Sequence, residues 1–153
     1  MIELLSSSPE ETERIAAAIA LELFPGDIVT VAGELGAGKT TFVRGAARAL
    51  GITGPVTSPT YTIGNRYTGD PDVSHLDLYR FEGMSAPEWG DLERYFDEAV
   101  VFVEWPEAAA GWLPEPRVRV RLRHQGAAHR LVALENLEKA LEIRLSTGAD
   151  PRV

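Results

Sequence analysis

The chain has 153 residues, 44% hydrophobic and 25% charged, with a formal net charge of −8 at pH 7, the composition of one globular domain long enough to bury a core. It carries no cysteine and three histidines, which excludes disulfides and thiolate metal sites and argues against zinc. The acidic balance argues against a general nucleic-acid binder, and with no apolar run of membrane-spanning length and no signal-peptide pattern at the start, a cytoplasmic protein without membrane contact is expected.

In chain order, Ser8-Pro9-Glu10-Glu11 supplies an N-cap serine, a proline at the first helical position and a glutamate for a capping box. Ile15, Ile19 and Leu23 then give that helix one buried face until Pro25-Gly26. Asp27 to Ala32 reads as a short buried strand. It leads into "GELGAGKTTF", where Gly33, Gly38, Lys39 and Thr40 fit G-x-x-x-x-G-K-[ST], the phosphate-binding loop. With lysine this scarce, one chance match in about 150 windows has a probability below roughly one per cent. Phe42, Val43, Ala46, Ala47, Ala49 and Leu50 recur at helical spacing until Gly51, so strand, loop and helix follow in the order the motif needs.

The residue types explain the chemistry. Gly33, Gly36 and Gly38 let the backbone around Ala37 turn its N–H groups into one concavity at a helix N-terminus, which favours phosphate. Lys39 brings a mobile charge to the β and γ phosphates of a nucleotide, Thr40 offers a hydroxyl to Mg2+, and Thr41 is in reach of the α phosphate.

Beyond a Gly/Pro/Thr-rich connection, Tyr61–Thr68 and Val73–Tyr79 are expected to pair as strands across Gly69-Asp70-Pro71. Ala86 to Glu98 reads as a helix with a break near Gly90, and Ala99 to Val103 as a second buried parallel strand. Arg117–His124 and Ala128–Leu134 alternate around Gln125-Gly126 as a β-hairpin. Glu135 to Leu145 reads as a short helix, and 147–153 as a frayed tail. The expected fold is α/β, a single domain over 1–153 with a mostly parallel central sheet and an antiparallel flank or hairpin.

Hydrolysis needs more than a phosphate loop: a second metal-holding acid and a group that positions water. Glu104 ends the buried run, and Asp77 ends a weaker one. Ligands of open α/β sheets gather at such carboxyl ends. Alternation in "HLDLYR" puts His75, Asp77 and Tyr79 on one side, so Asp77 can orient water and His75 can hydrogen-bond to it. A packed, satisfied core histidine is the competing reading of His75. Arg80 can stabilise transferring phosphoryl charge or serve a structural ion pair. The segment 57–62, with Ser58 and Thr60, suits a loop that senses a γ phosphate. No D-x-x-G, N-K-x-D or transporter signature occurs, so ATP is expected over GTP.

"GELGAGKTTFVRG", "TSPTYT", "HLDLYR" and "VEWPE", in this order, resemble the TsaE (YjeE-type) family of bacterial tRNA threonylcarbamoyladenosine synthesis over roughly residues 8 to 135. The resemblance implies a P-loop ATPase that assists TsaB and TsaD in modifying adenosine 37 of ANN-decoding tRNAs, touching tRNA only through that complex. It further implies phosphate contact by Lys39, Mg2+ held by Thr40 and Glu104, water activation by Asp77, a nucleotide-responsive block at 58–60, and Trp105 beside the site. It puts the adenine near the start of the chain and the late hairpin, where no motif marks a residue.

Outside those motifs, "RVRVRLR" aligns Arg117, Arg119, Arg121 and Arg123 on one strand face, suited to tRNA phosphates or an acidic partner, or to guarding a sheet edge. Two further function classes stand beside the ATPase: a small-molecule kinase, which needs an acceptor pocket, and a nucleotide sensor without productive hydrolysis, suggested by Glu104 where an aspartate is usual.

Overall fold

The computed structural model describes residues 1–59 and 63–147. Thr60, the first residues of the strand expected from Tyr61, and the tail beyond Thr147 lie outside them. The described residues form one seven-stranded sheet flanked by helices. The strands are β1 (Ile2–Ser6), β2 (Ile28–Gly33), β3 (Gly64–Tyr67), β4 (Asp72–Asp77), β5 (Ala99–Glu104), β6 (Val118–Gln125) and β7 (His129–Glu135), ordered β1-β7-β6-β2-β5-β4-β3. The pairs β6–β2, β2–β5 and β5–β4 are parallel, whereas β3, β7 and β1 join antiparallel. β5 is buried at every residue, which is why it reads as a continuous apolar run rather than an alternating one.

The helices α1 (Pro9–Ala20), α2 (Lys39–Ala49) and α4 (Lys139–Ser146) share a core with one sheet face, built on Ile19, Phe42, Val43, Phe102 and Leu122. On the other face, α3 (Ala86–Leu92) and the turns after it cover β4, β5 and the start of β2, around Ile28, Leu76, Leu92 and Val101. The β6–β7 side of that face stays open. Fully burying one such leucine or phenylalanine is worth about 1.5–3 kcal/mol.

Several expectations need correction. β1 had no counterpart in the sequence reading, because five residues of mixed character, buried only at Ser6, carry a weak strand signal until β7 pairs with them. α1 stops at Ala20 rather than at Pro25, although Leu23 is buried as expected. Its capping glutamate bonds the N–H of Ser7, not of Ser8, while Ser8 Oγ accepts from the N–H of Glu11. Gly90 lies inside α3; the helix tightens into a 3-10 turn only at Glu93–Phe96. Glu135 belongs to β7, since Asn136 turns left-handed (φ 68°) and helix α4 begins later, at Lys139. β6 is not only half a hairpin: it is an interior strand parallel to β2, so its arginines guard no edge.

Close packing of α1 on α2 depends on Gly45, where a Cβ would meet Glu13 Cα at 2.5 Å and its carbonyl oxygen at 2.6 Å. Gly45→Ala is therefore expected to lower the unfolding free energy by about 1–3 kcal/mol in urea titration. Gly90→Ala, with nothing within 4 Å of the new Cβ, is expected to raise it by about 0.5–1 kcal/mol.

Candidate active site

The carboxyl ends of β2, β5 and β4 lie side by side, since Val31 pairs with Glu104 and Glu104 with Asp77. Each end delivers one part of a site. From β2 the chain enters the glycine loop and then α2, whose N-cap is Gly38 at φ 101°. A left-handed backbone there excludes a Cβ at little cost only for glycine. Gly33 has a second reason: a Cβ would sit 2.5 Å from the carbonyl oxygen of Leu122 on β6.

Lys39 is 5% exposed and folds back on its own loop. Its ammonium donates to the carbonyls of Gly33 and Glu34, at 2.8 Å each, and lies 4.4 Å from the centroid of the Trp105 ring. Burial lowers its pKa from the ordinary 10.5, and Glu104, Asp77, Glu107 and Glu34 oppose the shift. Trp105 holds this place in a left-handed conformation (φ 57°, ψ 53°), a strain of about 1–3 kcal/mol of the kind found at functional sites. Its other neighbour is Tyr79, with ring centroids 4.9 Å apart.

From β5 comes Glu104, 3% exposed. Its Oε2 accepts from the Thr40 hydroxyl at 3.1 Å and contacts His75 Nε2. From β4 comes Asp77, whose Oδ2 accepts from Ser58 Oγ at 2.8 Å and whose Oδ1 accepts from the Tyr79 N–H at 3.0 Å. Gly36, Gly38, Lys39, Thr40, Thr41, Ser58, Asp77, Glu104 and Trp105 all line one cavity of ≈ 350 Å³. Ala37 does not; it is buried and its N–H donates to Glu34 O at 3.1 Å. Arg80 also falls outside. It lines an adjoining cavity of ≈ 780 Å³ that shares Ser58, Asp77 and Tyr79 with the first.

The expected bond from His75 to Asp77 does not form. His75 stands opposite Phe102, and its side chain reaches diagonally to Glu104, which stands opposite Asp77 on the same face of the sheet. Nor do the four arginines form a free row. Arg117 pairs with Asp27 and Glu138, Arg119 with Glu115, and Arg123 with Glu3.

The donor set fits a small hard cation better than a protein-only cage. Among the described residues no three His, Cys, Asp or Glu side chains form a metal cluster, but one hydroxyl beside one carboxylate at a phosphate loop is the pairing Mg2+ takes when phosphates and water complete its shell.

A family model for the threonylcarbamoyl adenosine biosynthesis protein TsaE matches residues 6–132. The chain belongs to the TsaE family. It is 43% identical over 121 residues to the tRNA threonylcarbamoyladenosine biosynthesis protein TsaE of Bacillus subtilis, covering 78% of this chain and 75% of that one. To the TsaE protein of Treponema pallidum it is 37% identical over 120 residues, covering 78% and 89%. The crystal structure of Bacillus subtilis YdiB superposes with a TM-score of 0.76 and 35% identity over 96% of this chain and 95% of that one, in keeping with a P-loop fold. No helix among the described residues is long and apolar enough to cross a membrane.

In this member of the TsaE family the geometry also brings in residues that sequence reasoning missed. Leu35, 65% exposed, lines the loop cavity. From the β6–β7 hairpin, His124 Nε2 lies 3.4 Å from Leu35 O, and Arg130 Nη2 donates to Gly36 O at 3.3 Å. Nothing local could reveal these contacts, which join residues some ninety positions apart.

The lowered pKa of Lys39 has a direct readout, because Lys139 is the chain's other lysine. Folding favours the uncharged amine, so the ammonium is lost at lower pH than in an exposed lysine, and the loop loses its positive charge as pH rises through that value. In ¹³C-lysine-labelled Lys139→Arg protein, the remaining side chain is expected to titrate below 10.5 and to move upward when ATP is added. A midpoint at or above the ordinary value contradicts this account of the loop.

Proposed function

We propose that the protein is a Mg2+-dependent ATPase that supports a TsaB/TsaD threonylcarbamoyl transferase complex in forming N6-threonylcarbamoyladenosine at position 37 of ANN-decoding tRNAs, meeting tRNA through that complex. The observation that carries the reading is the convergence of Lys39, the Thr40–Glu104 pair and the Ser58–Asp77 pair on one cavity, in a chain of the TsaE family.

Each residue has a role its surroundings support. Lys39 leaves the two neutral loop carbonyls for a phosphate, whose negative charge makes it the better acceptor for an ammonium. Thr40 and Glu104 would hold Mg2+, which when bound neutralises charge on the terminal phosphates. Asp77, oriented by Ser58 and the Tyr79 N–H, accepts a proton from the attacking water. A nucleotide that alters the Ser58 contact gives partners a surface that reports hydrolysis.

The adjoining ≈ 780 Å³ cavity favours one alternative, phosphoryl transfer to a small acceptor, because Asp77 faces both spaces. Transfer of labelled phosphate to an added acceptor in place of water would decide for the kinase, and no phosphate release with or without the partner complex would decide for a sensor.

Lys39→Ala is expected to abolish hydrolysis. Asp77→Ala is expected to cut it by about 100-fold or more while calorimetry shows ATP binding largely intact. Ordinary turnover by the Asp77 variant would remove it from the mechanism. In reconstituted tRNA modification, omitting the protein or supplying Lys39→Ala is expected to stop repeated turnover of the transferase.

A further inference from the structure

His75 is fully buried at the centre of β4, yet it is no apolar core residue. Its Nε2 contacts Glu104 Oε2, the same oxygen that accepts from the Thr40 hydroxyl. Its Nδ1 is buried with no hydrogen-bond partner. A carboxylate only accepts, so the hydrogen sits on Nε2; an orphaned buried N–H at Nδ1 would cost more than an orphaned lone pair. One face of Glu104 is thus held by two donors, while Oε1 takes no hydrogen bond among the described residues.

We infer that His75 is a positioning residue for Mg2+. By donating Nε2–H to Oε2, the oxygen that also accepts from Thr40, it fixes the Glu104 side chain in the rotamer that lines the phosphate-loop cavity. The inference rests on the ATPase reading above. It assigns to a fully buried residue that does not line the cavity the task of setting how much the metal adds to ATP binding. A long acidic side chain ending a strand has several rotamers, and outer-shell partners that remove this freedom are worth about 10–100-fold in metal affinity.

Two amides test this, because the glutamine amide nitrogen stands where His Nε2 stands and the asparagine nitrogen where Nδ1 stands. ATP binding is measured by calorimetry with and without Mg2+ for the parent, His75→Gln and His75→Asn, with melting temperatures taken without nucleotide. Metal-free ATP affinity is expected to stay within about twofold in all three. The gain from Mg2+ is expected to persist in His75→Gln and to fall by about tenfold in His75→Asn. A His75→Asn protein that is folded and gains as much as the parent overturns the inference, as does a His75→Gln protein that loses the gain while keeping metal-free binding. Should His75→Asn not fold, the glutamine variant alone decides. A parent that binds no ATP overturns the ATPase reading and this inference with it, whereas a parent that binds Mg2+-ATP equally well in every variant overturns only the inference.

Discussion

Removing a carboxylate from water costs several kcal/mol unless protein donors replace the hydration shell, and Glu104, 3% exposed, sits where that cost is incurred. The donors come from separate places: the Thr40 hydroxyl at the start of α2 and His75 on β4. Neither reaches Glu104 unless β5 lies between β2 and β4, parallel to both and in the register that pairs it with Val31 and Asp77. The sheet order and the chemistry are one constraint, since a one-residue slip would turn Glu104 to the opposite face. Breaking the group by removing a single partner leaves the charge buried and uncompensated, which is the costly direction.

The loop beside it is held in a different way. With Lys39 bonded to the carbonyls of Gly33 and Glu34, the loop is tied together by its own cation. Trp105, strained and packed at a tilt against Tyr79, covers another side of the ammonium. The loop is therefore preorganised around Lys39, so that on the reading proposed above a phosphate would exchange partners with it rather than order the chain. Arginine in that position would bring a planar fork too broad for the nest.

Most of this could be read from sequence where the signal is local. The spacing from Gly33 to Thr40 located the loop, and the apolar run ending in Glu104 located β5 and its acid. Contacts that depend on register were illegible: alternation suggested Asp77 as the partner of His75, and only pairing of β4 with β5 shows Glu104 in that place. β1 was missed because its order is supplied by β7, not by its own pattern. The arginine row of β6 was visible, but not that Asp27, Glu138, Glu115 and Glu3 neutralise much of it from other elements. Charge read along one strand says little about charge across a sheet.

The two hairpin contacts to the loop carry a consequence for the order of assembly. Strand, glycine loop and helix are contiguous in sequence and form early, but Leu35 and Gly36 meet His124 and Arg130 only when β6 has docked on β2 and turned back as β7. Such long-range contacts close last, after loop-closure entropy has been overcome. On the ribosome, the phosphate loop emerges well before the residues that brace it. A nascent chain thus displays the motif long before the contacts that brace it exist, and the finished loop arrives as one of the final events of folding.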